Sequence, residues 1–174
     1  GADKSAWFVL EVALTEAPSR SERSDYESDA FKQTVNFWRR WVARSSYGGR
    51  WRETVNRSAL TLKLLTSSQY GSIVAAPTFG LPETIGGGRN WDYRYAWIRD
   101  SSFTLYGLMR LGYTDEAAAF MSWVMDRCGE LEPDGSLHIM YRLDGRHTLP
   151  EEILPHLEGY MGSSPVRVGN AAFD

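Results

Sequence analysis

Residues 100–128 read DSSFTLYGLMRLGYTDEAAAFMSWVMDRC, and this stretch decides the fold class. Asp100 is a suitable helix N-cap, Phe103, Tyr106 and Met109 follow at helical spacing, and Gly112 supplies a stop. Thr114 reads as the cap of a second helix, with Asp115 and Glu116 favourably placed in its first turn. Ala117, Met121, Val124 and Cys128 then form its inward stripe. The connection is so short that the two helices are expected to pack as antiparallel neighbours. The chain is therefore read as mainly α, built from helical hairpins.

The same period recurs upstream. From about Ser28, the residues Phe31, Val35, Trp38 and Val42 share one helical face, and Gly48-Gly49 is the expected stop. Val55, Ala59, Leu62 and Leu65 mark another helix ending near Ser67-Ser68. Residues 75–89 hold two prolines and four glycines, which predicts a long irregular loop. After the turn signal Pro133-Asp134-Gly135-Ser136, Leu137 to Leu143 reads as extended. At the other end, Trp7 to Leu14 is a compact apolar run that reads as a strand, and the polar stretch from Pro18 to Asp25 reads as a linker.

The 174 residues are 43% apolar and 24% charged, a globular composition that excludes a disordered or collagen-like chain. No run approaches the roughly 18 apolar residues of a membrane span, so a soluble protein without a membrane partner is expected. The 19 basic and 22 acidic side chains give a net charge of -3 with no long basic block, which argues against nucleic acid as a partner. Cys128 is the single cysteine; it excludes an internal disulfide, suits a cytoplasmic location and is expected to pack as a small apolar side chain. Aromatic residues reach 13%, which fits a core with polar insertions and equally fits a platform for sugar rings.

The densest chemistry lies in residues 86–100, GGGRNWDYRYAWIRD. Carboxylates and guanidinium groups that bind hydroxyls stand among rings that stack on C–H faces, the make-up of a sugar site. The competing reading is a loop tied down by Arg–carboxylate pairs, with Asp92 and Asp100 bridged to Arg94 and Arg99. The three glycines lack the Gly-Lys-Ser/Thr of a phosphate loop. His138, His147 and His156 are nine residues apart, so they make no helical metal face and read as surface or hydrogen-bonded histidines. No G-x-S-x-G elbow is present.

Several segments in fixed order carry a family resemblance. Trp51-Arg52-Glu53, Leu60-Thr61-Leu62-Lys63, Ala75-Ala76-Pro77-Thr78, Leu81-Pro82-Glu83, Asn90-Trp91-Asp92-Tyr93-Arg94-Tyr95, Trp97-Ile98-Arg99-Asp100, Phe103-Thr104-Leu105-Tyr106 and Pro165-Val166-Arg167-Val168-Gly169-Asn170-Ala171-Ala172 closely resemble bacterial members of glycoside hydrolase family 15. This group contains glucoamylase-like enzymes, glucodextranases and some trehalases, and the likeness runs over residues 31–174.

The resemblance implies a six-hairpin (α/α)6 toroid over residues 31–174, incomplete here, with residues 1–16 ending a preceding β-sandwich and 17–30 as linker. It implies that Arg99 and Asp100 hydrogen-bond the hydroxyls of a terminal glucose, that Trp97 supports the pocket wall and that Tyr93 lies beneath the sugar. Arg167 and Asn170 fall in a second pocket-forming loop. The implied reaction is inverting hydrolysis of an α-linked glucan or glucose disaccharide, releasing β-glucose. Its two catalytic glutamates match no segment up to Asp174, so no catalytic residue is assigned and the chain alone is expected to be inactive. No cofactor is implied by the motifs; phosphate or magnesium, associated with some trehalases of the group, stays open. Twelve helices of about 11 residues with loops of about 5 need on the order of 200 residues, so a partial barrel is expected to leave apolar stripes uncovered and to favour self-association. A non-catalytic carbohydrate-binding protein and a helical interaction module are the alternatives.

Overall fold

The computed structural model describes residues 26–171. The strand expected at 7–14 lies outside the described residues, as does most of the linker. The chain divides into two units after Arg44.

The first unit contributes helix α1 (Tyr26–Val42), which begins inside the stretch read as linker. Arg39 and Arg40 occupy its last turn, where positive charge complements the helix dipole. Of the expected stripe, Val35 and Trp38 are half-buried while Phe31 is exposed. The helix stops at Val42, well before Gly48-Gly49. Arg44 N–H turns back to Trp41 O at 3.1 Å, tightening the end. Beyond the boundary, the Tyr47 amide donates to Ser45 Oγ at 3.3 Å, a local alternative to helical bonding.

The second unit holds α2 (Arg52–Leu64), α3 (Ile98–Arg110), α4 (Thr114–Arg127) and four two-residue strands. The described residues are thus mainly helical, as read from the sequence; a closed barrel is not seen among them. Helix α2 ends at Leu64, short of Ser67-Ser68, because Thr66 leaves the helix to bridge Ile73. Residues 75–89 contain neither helix nor strand, as expected. They nonetheless pair with the next segment through Ala75 N–H to Tyr95 O at 2.9 Å, Ala76 N–H to Tyr93 O at 3.0 Å and Tyr93 N–H to Thr78 O at 3.2 Å.

Asp100 does not cap α3. Strand β1 (Ala96–Trp97) pairs antiparallel with β2 (Met140–Tyr141), Ala96 opposite Tyr141 and Trp97 opposite Met140. That pairing keeps Trp97 extended, so Trp97 becomes the cap and the helix opens at Ile98. Asp100 falls in the first turn instead, still well placed for the dipole. Gly112, at φ +90°, follows the end of α3 as expected, with Tyr113 N–H reaching back to Leu108 O at 3.0 Å. Tyr113 rather than Thr114 caps α4.

The inward faces also differ from the expected stripes. On α3 the buried residues are Ser101, Leu105 and Leu108, whereas Phe103, Tyr106 and Met109 are exposed. This helix is apolar on more than one face, and the hydrogen bond from Ser101 Oγ to Ile73 O, at 3.2 Å, helps fix which face turns in. On α4, Glu116, Ala117, Phe120 and Trp123 are buried, Val124 packs at the core edge and Met121 is exposed, as is Cys128 just past the helix. The short connection does bring α3 and α4 into contact.

The core collects Ile73, Ala96, Leu105, Ala117, Phe120, Trp123 and Tyr141. Trp123 stacks on Phe120 at 5.5 Å, meets Tyr141 edge-on at 5.6 Å, and its indole N–H donates to Leu143 O at 3.0 Å. An ion pair of 2.8 Å from Lys63 to the buried Glu116 ties α2 to α4. A second pair of strands, β3 (Glu152–Ile153) and β4 (Arg167–Val168), runs antiparallel with Glu152 opposite Val168. Among the described residues no helix is long and apolar enough to cross a membrane.

Candidate functional site

Burial alternates along residues 89–93, the period at which side chains in extended backbone point to opposite sides. Asn90 and Asp92 point inward and are fully buried. Arg89, Trp91 and Tyr93 face a cavity of about 600 Å³ completed by Trp97, Glu151, Asn170 and Ala171. That volume falls within the roughly 300–1,000 Å³ of small-molecule sites.

The inward residues hold the segment in place. The Asn90 side-chain amide donates to Gly87 O (3.3 Å), Ser163 O (3.3 Å) and Pro165 O (3.1 Å). The Asp92 carboxylate accepts from the Arg94 amide (3.1 Å) and its guanidinium Nε (2.9 Å) and Nη2 (2.8 Å). It also accepts from Gly169 N–H at 3.2 Å, and Asp92 O accepts from Asn170 Nδ2 at 3.2 Å. Two distant loops are thereby fastened together. The hydrogen bond to Asp92 raises the Arg94 guanidinium pKa, and burial followed by the charge of Asp92 pushes the Tyr95 phenol up.

The cavity walls are aromatic with charged rims. The Tyr93 and Trp97 rings lie 6.0 Å apart at 45°. Trp91 has the Arg89 guanidinium 5.9 Å from its ring centre and that of Arg167 at 5.1 Å. Arg167 Nη1 donates to Gly88 O at 3.0 Å, and its Nε lies 3.0 Å from Glu151 Oε1, close enough for an ion pair but not aligned as a hydrogen bond. Arg89 pairs with Glu83 at 2.7 Å. Rings for C–H faces, an amide, a carboxylate and the Arg89 guanidinium meet in one hollow, a set able to grip a polyhydroxylated ring.

Of the six residues singled out from sequence, Tyr93, Trp97 and Asn170 share the cavity and Arg167 borders it through Trp91 and Glu151. Arg99 and Asp100 are not among its lining residues. They pair with each other in the first turn of α3, Arg99 Nη2 to Asp100 Oδ2 at 3.0 Å, and remain 74% and 43% exposed. Four lining residues were not singled out: Arg89, Trp91, Glu151 and Ala171. Arg89 and Trp91 carried a signal in the alternation of 89, 91 and 93 against 90 and 92. Glu151 carried none; it stands just before β3, and what brings it to the site is tertiary, its carboxylate meeting Arg167 of β4. His138 and His147, set aside as a metal face, do meet across two loops with rings stacked at 3.8 Å, and Glu132 pairs with His138 at 2.9 Å. Among the described residues no group of three metal-ligating side chains forms.

The family model for glycosyl hydrolases family 15 matches residues 49–174. The chain belongs to that family. Curated relatives of this family 15 chain include a trehalase of Thermoplasma volcanium, 44% identical over 171 residues, covering 98% of this chain and 26% of the relative. A trehalase of Mycolicibacterium smegmatis is 48% identical over 175 residues, covering 98% of this chain and 25% of the relative. A trehalase of Mycobacterium tuberculosis is 46% identical over 155 residues, covering 86% and 22%. The family 15 chain spans about a quarter of the length of these relatives. No solved structure matches it.

Proposed function

We propose that the protein carrying this chain hydrolyses trehalose and that the cavity of Trp91, Tyr93, Trp97, Glu151 and Asn170 receives one of its glucose units. The observation that supports this reading most is the convergence of two segments, 89–97 and 167–171, on one aromatic-walled hollow with polar rims. The similarity to three trehalases directs the choice of disaccharide over a longer glucan. Arg99 and Asp100, one turn beyond Trp97, serve the sugar hydroxyls once their mutual pair opens toward the substrate.

Inverting hydrolysis requires one carboxylic acid to protonate the leaving oxygen and one carboxylate to activate water, about 6.5–9.5 Å apart. Among the described residues lining the cavity, Glu151 is the only carboxylate, and it stands in an ion pair with Arg167. In this reading the acid and base come from other parts of the protein, while this chain binds and orients. Water adds to C1 as the glycosidic C1–O bond breaks, the leaving oxygen takes the acid's proton, and the base takes one from the water.

Proton NMR of trehalose turnover by the protein tests the reading. Equal initial amounts of α- and β-glucose are expected, because one ring inverts and the other leaves with its configuration. Two α-glucose molecules, or no cleavage of trehalose, would contradict it. Asp100→Ala is expected to lower kcat/KM by more than about tenfold.

A further inference from the structure

Asp92 stands between two cavity-lining residues, Trp91 and Tyr93, yet its own side chain is fully buried on the opposite side of the segment. Three of the four hydrogen bonds to its carboxylate come from Arg94, two residues away. The guanidinium grips both oxygens, Nε on Oδ1 and Nη2 on Oδ2, which sets the plane of the carboxylate. Oδ2 is then presented to the Gly169 amide, and the Asp92 carbonyl to the Asn170 side chain. Asn170 is itself held from the other side, its N–H donating to Leu149 O at 3.2 Å.

The structure assigns Asp92 as a positioning residue: oriented by Arg94, it fixes the Gly169-Asn170 step so that Asn170 faces Tyr93 and Trp97 across the cavity, without touching the cavity itself. This rests on the sugar-site reading of that cavity. The carboxylate is an acceptor at both oxygens, and that is what the geometry uses. In either orientation the isosteric Asp92→Asn sets an NH₂ group donor against donor and breaks the grip of Arg94 that fixes the plane of the group: at the Oδ1 place it meets the Arg94 amide and Nε, at the Oδ2 place the Arg94 Nη2 and the Gly169 amide. The loop is released, and binding of the glucose unit suffers while the reacting groups elsewhere do not change.

The test uses the whole protein, with KM and kcat for trehalose, calorimetric Kd for D-glucose, and the melting temperature of each variant. Asp92→Asn is expected to raise KM and Kd by about tenfold to a hundredfold, the loss of a hydrogen bond to a charged group, with kcat within about threefold. A purely structural role would lower the melting temperature and leave KM and Kd of the folded protein unchanged, and that result overturns the assignment. Asn170→Ala is expected to weaken both constants by itself. In that background Asp92→Asn should add less than about threefold, because the group it positions is gone; full additivity overturns the assignment. Where Asp92→Asn does not fold, Arg94→Gln keeps the carboxylate and loosens its aim, and it should shift KM the same way by about threefold to tenfold with the same coupling to Asn170→Ala. If Asn170→Ala changes neither constant, the sugar-site reading fails and the assignment falls with it. If Asn170→Ala weakens binding while neither Asp92→Asn nor Arg94→Gln does, the assignment alone fails.

Discussion

Replacing Gly169 by alanine probes the close approach that builds the cavity. Gly169 sits at φ +81°, and a Cβ there would press on the carbonyl oxygen of Pro150, with Pro150 C at 2.6 Å and Glu151 Cα at 2.9 Å. These are backbone atoms, which cannot yield as a flexible side chain can. An L-residue in this left-handed region costs about 1–2 kcal/mol, and overpacking adds about 1–3 kcal/mol. The expected loss is about 2–5 kcal/mol, a large part of the roughly 5–15 kcal/mol that keeps a domain folded. Gly135 is the internal control, since it has φ +83° with nothing within 4 Å of where a Cβ would stand. Gly135→Ala should show the backbone cost alone. Urea unfolding of both variants gives the difference, expected at about 1–3 kcal/mol in favour of Gly135→Ala. KM for trehalose should rise in Gly169→Ala and not in Gly135→Ala. Equal destabilisation in the two variants would refute the claim that the 150–151 and 169–170 backbones lie in contact.

Phe120→Ala removes a buried ring stacked on Trp123 and should cost about 3–5 kcal/mol by urea unfolding; a loss below about 1 kcal/mol would show that the α3–α4 core is misplaced. Trp91→Ala takes away the wall between the Arg89 and Arg167 guanidinium groups and should weaken glucose binding about tenfold in calorimetry, whereas unchanged binding would remove Trp91 from the site. Hydrogen bonds from Arg146 hold the Asp144 carboxyl below the usual carboxylate range, so the folded state binds that proton less readily than the unfolded one. Its stabilisation is then complete above an ordinary carboxylate pKa of about 3.9 and fades as pH falls through the lower folded value. Asp144→Asn should accordingly be less stable than the parent near neutral pH, with the gap narrowing in acid; a gap independent of pH contradicts this.

The helical hairpin was legible because its signals are local. Gly112 ends α3 and the acidic pair Asp115-Glu116 opens α4, and neither depends on distant partners. The start of α3 was not legible at Asp100, because the β1–β2 pairing with residues some 44 positions downstream decides it (Ala96 and Tyr141 are 45 apart, Trp97 and Met140 are 43 apart). Periodicity alone could not choose the inner face of α3, since Leu105 and Leu108 compete with Phe103, Tyr106 and Met109. Of the residues that line the cavity, Tyr93, Trp97 and Asn170 were named through the family resemblance, and the Asp92–Arg94 pair was legible through adjacency. The bond from Asp92 to Gly169 and the arrival of Glu151 are products of tertiary folding, with no local pattern to announce them.

This chain is proposed to supply the hollow that holds a glucose unit. A crystal structure of the whole protein soaked with D-glucose tests it most directly. A sugar ring is expected against Trp91, Tyr93 and Trp97, within hydrogen-bond reach of Asn170. A glucose ring seated elsewhere in a protein that cleaves trehalose, with this cavity holding only solvent, would contradict it.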